Sequence, residues 1–178
     1  MYCGAVLIFI ALGSNLPSVH GAPLQTLMAA IARIDAHEDI SVLQRSCVYK
    51  SAPVPISDQP WYHNAVIAVE SELQPFTLLA VLQEIEVEFG RVRDVENRNA
   101  ARTLDLDIIA YDDLELDQAG LQIPHPRMGE RAFVLLPLSD VSAEWKHPIS
   151  GASIGEMIDQ LPEGQDLHKI EECYDDAA

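Results

Sequence analysis

The chain has 178 residues, is 48% hydrophobic and 22% charged, and carries a net charge of −17 with a pI near 4.4. That length fits one domain with a sizeable core, and the balance of apolar and charged residues excludes a disordered or fibrous chain. The acidic balance argues against nucleic acid or an anionic membrane surface as partner, so an anionic substrate would need a local basic patch.

Residues 6–12 form a continuous apolar run rich in branched side chains and closed by Gly13-Ser14-Asn15. The run predicts a buried strand, since no positive charge precedes it and it is too short to span a membrane. Pro23 opens a helix in which Leu24, Leu27, Met28, Ile31 and Ile34 recur at helical spacing. Residues 40–49 predict one strand. The sequence SAPVPISDQP (51–60) holds four prolines, which excludes helix and central strand and predicts a rigid loop able to present backbone amides. Ala65 to Val69 predicts another buried strand, and Pro75 to Phe89 a second helix striped by Leu78, Leu82, Ile85 and Phe89 and ended by Gly90. After Tyr111 come a turn with short strands, the proline-bounded segment 123–131, an apolar run at 133–138, and a short helix over 152–161. The acidic tail from Glu163 is expected to fray. Cys3, Cys47 and Cys173 are odd in number and lack metal-ligand spacing, which predicts reduced thiols and a cytoplasmic location.

The stretch from Arg91 to Tyr111 carries the chemistry. Leu104, Leu106, Ile108 and Ala110 fall on one side of a strand, and Asp105, Asp107, Ile109 and Tyr111 on the other. Two carboxylates two residues apart lie about 7 Å apart at Cα on one surface, close enough to share a cation or a pair of cations. Arg91, Arg93, Arg98 and Arg102 precede them, against Asp94 and Glu96, so this window is net +2 within a chain of −17. Guanidinium groups suit phosphate oxygens, and carboxylates suit the magnesium that accompanies a nucleoside triphosphate. The glycine-bounded polar segment 90–101 is expected to close as a lid over such a substrate.

With these blocks in place, the chain resembles the 6-hydroxymethyl-7,8-dihydropterin pyrophosphokinase family of folate biosynthesis. The resemblance rests on ALGSNL (11–16), QPWYHNAV (59–66), FGRVR (89–93), ARTLDLDII (101–109), IPHPRM (123–128) and RAFVLLPL (131–138). It implies a single α+β domain over 1–178, with a ferredoxin-like βαββαβ core, extra C-terminal strands and helices, and three α-β-α layers. The βαβ order of the predicted elements agrees with that pattern. It implies transfer of the β,γ-diphosphate of ATP to the hydroxymethyl group of the pterin, with AMP released, by a cytoplasmic monomer.

The family's roles carry over by position. Asp105 and Asp107 would hold two Mg2+ ions, and Arg91 and Arg102 would stabilise charge on the migrating phosphates. Tyr62 and Phe133 would sandwich the pterin, Asn64 would meet its polar edge, and the loop at Ser51, Ala52 and Pro53 would meet the rest. Gln83, Glu86, Arg93, Arg98, Ile108, His125 and Arg131 match ATP-side positions. The chain departs from the pattern at Asn99-Ala100-Ala101, where many relatives place Trp-Gly-Pro, and at Pro126, where some have tyrosine. Gly120 lacks the basic side chain that can help to bind ATP. Two other readings stay open on the residues alone: a magnesium-dependent phosphohydrolase or nucleotidyl transferase, and a non-catalytic ferredoxin-like binding domain. The first leaves Asn64 and Phe133 without a role, and the second leaves the aspartates and arginines without one.

Overall fold

The computed structural model describes residues 6–92 and 100–170. Its first strand, β1 (Val6–Ser14), lies inside the sheet and pairs antiparallel with β4 (Tyr62–Ser71) on one side and with the edge strand β5 (Asp105–Tyr111) on the other. Successive side chains of a strand point to opposite faces, and β1 buries both. Ile8, Ile10 and Leu12 join one core with the helices α1 (Pro23–Asp35) and α2 (Pro75–Glu88). Phe9 joins a second core with α3 (Ala132–Val141) and α4 (Ile154–Asp159). Helices therefore cover both faces of an antiparallel sheet, which explains why β1 reads as an uninterrupted apolar run.

Both long helices start at a proline, whose missing N–H is no loss in a first turn. Helix α2 ends in a left-handed glycine: Gly90 has φ 80°, its amide donates to Val87 O at 3.0 Å, and the Arg91 amide donates to Glu86 O at 3.0 Å. This pair of bonds closes the helix and fixes where Arg91 leaves it.

Four expectations change. The strand expected over 40–49 is two strands, β2 (Ile40–Arg45) and β3 (Tyr49–Ser51), both paired with β4. Between them the Ser46 hydroxyl accepts the Val66 amide at 2.9 Å, so a side chain takes over part of the ladder. In β5 the alternation holds only to Ile108. The register shifts so that Ile10 faces Ile108 and Phe9 faces Ala110, leaving Ile109 as an extra residue. A bulge of this kind reverses the faces beyond it: Tyr111 joins the core with Leu106 and Ile108, and Ala110 joins the other core with Ile109.

The expected tail is partly ordered: after the β6 (Leu116–Gln118) and β7 (Leu121–Ile123) hairpin and the last two helices, Leu167–Lys169 forms β8 beside β3. Here the backbone of β3 supplies partners that an acidic composition does not reveal. Finally, Cys47 is disulfide-bonded rather than reduced. Cys3 and Cys173 lie outside the described residues, and sequence spacing carries no information on what the fold brings beside Cys47. Among the described residues no helix is long and apolar enough to cross a membrane.

Candidate active site

The register of four strands lays a row across the sheet: Tyr49 beside Asn64, Asn64 beside Gly13, Gly13 beside Asp105. Two residues along each strand, on the same face, stand Ser51 beside Tyr62, and Ala11 beside Asp107. This is the face covered further along by α3. Gly13 matters here because it has no side chain. A Cβ on it would lie 3.4 Å from Asn64 Oδ1 and 3.9 Å from Asp105 Cβ, so its absence leaves a flat floor between an amide and a carboxylate.

Around Asp105 the charges interlock. One of its oxygens accepts from Arg91 and the other from Arg102 at 2.8 Å. Arg91 also donates to Glu86 Oε1 and to Leu104 O. Glu86 is only 2% exposed and accepts the Leu106 amide at 2.8 Å. It therefore faces inward from α2 and ties the helix, the edge strand and Arg91 together, while the resemblance places it with Gln83 among the ATP-side positions. Gln83 lies one turn earlier and is half-buried.

Asp107 has a different environment. Burial first, and then the neighbouring Asp105 charge, push its carboxyl up to about 7, against the pull of Arg131 and Arg91. Arg131 precedes α3 with its guanidinium 5.6 Å from the centroid of the Phe133 ring, and burial lowers its pKa while Asp107 opposes that shift. His125 is pushed down to about 4, by burial and then by Arg131. Its Nδ1 accepts the Arg127 amide at 3.1 Å, so at neutral pH the ring is uncharged and its proton sits on Nε2. Burial also raises the Tyr62 phenol, with Arg102 the strongest opposing charge.

The loops are fastened by a residue to which the sequence reading gives no role. The Asn15 amide and the Leu16 amide both donate to Arg102 O at 3.1 Å, and Asn15 Oδ1 accepts the Arg102 amide at 2.8 Å. Asn15 Nδ2 donates to Pro60 O at 3.1 Å and to Gln59. One side chain thus joins the turn after β1, the arginine loop and the proline-rich loop. Its place in the Gly-Ser-Asn turn was the available signal.

The proline-rich loop begins at Ser51, whose hydroxyl accepts Asn64 Nδ2 at 2.8 Å. Ala52 donates its amide to Asp166 O, and Pro53 is buried. The Ile108 side chain is in the core on the opposite face from the aspartates, so any ligand contact there falls to its backbone on the sheet's edge strand. Arg93, Arg98 and most of the expected lid lie outside the described residues. The structure therefore brings together Arg91, Arg102, Asp105, Asp107, Glu86, Arg131 and His125, with Tyr62, Asn64 and Ser51 along the same floor and Phe133 beside Arg131.

Among the described residues no three His, Cys, Asp or Glu side chains converge as a metal cage. The described residues offer a carboxylate pair, in one member of which burial and the neighbouring carboxylate outweigh the pull of Arg131 and Arg91. That donor set fits magnesium, which is commonly held by one or two carboxylates with substrate phosphates and waters completing its shell.

The chain is similar to known proteins of one family. The family model described as 7,8-dihydro-6-hydroxymethylpterin-pyrophosphokinase (HPPK) matches residues 9–143. The chain is 38% identical over 155 residues to the 2-amino-4-hydroxy-6-hydroxymethyldihydropteridine pyrophosphokinase of Pseudomonas aeruginosa, covering 87% of this chain and 91% of that protein. It is 40% identical over 154 residues to the folic acid synthesis protein fol1 of Pneumocystis carinii, covering 86% of this chain but only 20% of that longer protein. A Plasmodium falciparum HPPK-DHPS crystal structure with pteroate is similar in fold, at a TM-score of 0.67 and 12% identity, covering 90% of this chain and 43% of that one.

Proposed function

The chain belongs to the 7,8-dihydro-6-hydroxymethylpterin-pyrophosphokinase family, and we propose that it transfers the β,γ-diphosphate of ATP to the hydroxymethyl group of 6-hydroxymethyl-7,8-dihydropterin. The pterin hydroxyl oxygen attacks the β-phosphorus as the bond from that phosphorus to the α-phosphate oxygen breaks, and AMP leaves. The observation that carries this reading is the row Asn64–Gly13–Asp105, which sets a hydrogen-bonding amide and a metal-type carboxylate on either side of an open floor.

On that floor the pterin lies with its polar edge toward Asn64 and the Ser51–Pro53 backbone, and its faces toward Tyr62 and Phe133. Asp105 and Asp107 would hold two magnesium ions, which when bound would neutralise phosphate charge and acidify coordinated hydroxyl groups. Arg91 and Arg102 turn from Asp105 toward the phosphates, and Arg131 reaches them from the start of α3. His125, held neutral, donates a hydrogen bond from Nε2 to the nucleotide, and Gln83, Arg93, Arg98 and the Ile108 backbone complete its contacts. Glu86 acts as a positioning residue, orienting Arg91 rather than touching substrate.

The strand order β5-β1-β4-β3, antiparallel on both sides of β1, supports a ferredoxin-like core with three layers. We read residues 1–178 as one domain working as a monomer, its cytoplasmic location resting on the family's place in folate synthesis and no longer on reduced thiols. A phosphohydrolase reading leaves Asn64 and the glycine floor without a role. Asp105→Ala and Asp107→Ala test the assignment: each should abolish diphosphate transfer while the far-ultraviolet circular dichroism spectrum stays unchanged. Near-normal transfer in either variant would remove the metal assignment.

A further inference from the structure

A second concavity lies on the sheet face opposite the aspartates. His63 stands between Tyr62 and Asn64 on β4, so its side chain points the other way, and Lys50 is its partner across β3. With Trp61, His168 on β8, and Pro17 and Pro23 beside the start of α1, these residues line a cavity of about 590 Å3. None of them has a part in the transfer chemistry.

Three observations define what the cavity takes. Its lining holds the Lys50 ammonium and no carboxylate, in a chain of net charge −17, and Lys50 makes no ion pair among the described residues. Apart from Lys50 and the Asn15 amide, its walls are ring-bearing or apolar: Trp61 is 37% exposed and tilted against His168 with centroids 5.7 Å apart, and the prolines flank them. His63 also lines the cavity and is itself half-buried, with its Nδ1 shielded from solvent. Burial, and then Lys50, lower the His63 pKa and keep its ring neutral, so Lys50 is the resident cation facing it.

We propose that this cavity is a binding site for a small planar aromatic carboxylate, separate from the diphosphate-transfer site. The ring packs against Trp61 and the prolines, and the carboxylate meets Lys50. The volume lies within the range of small-ligand pockets, about 300–1,000 Å3.

The test uses 2-naphthoate as probe, titrated into the full chain by isothermal calorimetry, alone, with saturating ATP-magnesium, and with saturating pterin, the two substrates never present together. The expected result is saturable one-to-one binding that survives both substrates. Affinity should fall about tenfold in Lys50→Met and in Trp61→Leu, each checked for an unchanged melting temperature, and 2-naphthamide should bind about tenfold more weakly than 2-naphthoate. Competition by the pterin would place the probe in the transfer site and overturn the proposal. So would absence of binding, or affinity indifferent to Lys50→Met. A variant that fails to fold is replaced by Lys50→Gln, read in the same way.

Discussion

Glu86 offers a sharp test of how the site is built. Its carboxylate is 2% exposed and accepts from both the Leu106 amide and Arg91, whose side chain is itself only 15% exposed, so solvent screens the pair little. Glu86→Gln keeps an acceptor for the amide but gives Arg91 no carboxylate. Losing a charge-assisted hydrogen bond costs about 1.5–3 kcal/mol. Glu86→Ala removes the oxygen that accepts from both donors, and breaking a buried pair from one side costs about 3–5 kcal/mol. At roughly 2–4 °C per kcal/mol for a chain of this size, the midpoint should fall about 3–12 °C for glutamine and further for alanine. Thermal unfolding at neutral pH measures this, and a double-mutant cycle with Arg91→Met isolates the pair. Transfer activity should fall in both variants, because Arg91 loses its anchor. A Glu86→Gln midpoint within about 1 °C of the parent, or additive single-variant effects, would refute the reasoning.

Asp107 predicts a pH dependence. Its carboxyl, pushed up to about 7 from an ordinary 3.8, keeps its proton in the folded chain over a window where the unfolded chain has lost it. The folded state then binds more protons, so stability declines as pH rises from about 4 toward about 7. Asp107→Asn should flatten that decline in urea unfolding at about pH 5 and about pH 7.5, and an unchanged slope would contradict the assignment. Gly13→Ala adds a methyl in ordinary contact with Asn64 and Asp105, at 3.4 and 3.9 Å, so folding should be preserved. The same methyl occupies the floor, and the KM for pterin should rise about tenfold or more; an unchanged KM would place the pterin elsewhere. Asn64→Ala removes the amide at the pterin edge and should lower kcat/KM by about tenfold or more, with ATP binding retained in calorimetry.

What the sequence disclosed was periodic or punctuated. The apolar run of β1, the proline starts of α1 and α2, the Gly90 stop and the Asp105/Asp107 pair all follow from local rules that tertiary contacts did not override. The residues that escaped depend on partners distant in the chain. Glu86 matches an ATP-side position by sequence, and its inward role shows only when Leu106 and Arg91 come to it. Asn15 gains its role only when Arg102 and Pro60 come to it. The Ile109 bulge leaves no mark in an alternating pattern, yet it sends Tyr111 into the core, where its hydroxyl donates to Leu73 O at 2.6 Å. Helix α3 escaped because Pro137 within an apolar run argues against helix, while burial of Val134, Leu135 and Leu138 outweighs the lost hydrogen bond.

The central claim is diphosphate transfer, and the nucleotide product tests it most directly. Incubation with ATP, magnesium and 6-hydroxymethyl-7,8-dihydropterin, with AMP resolved from ADP, should give AMP that depends on the pterin and matches the pterin diphosphate formed. ADP and phosphate released without regard to pterin would contradict the account and return the Asp105/Asp107 site to a hydrolase.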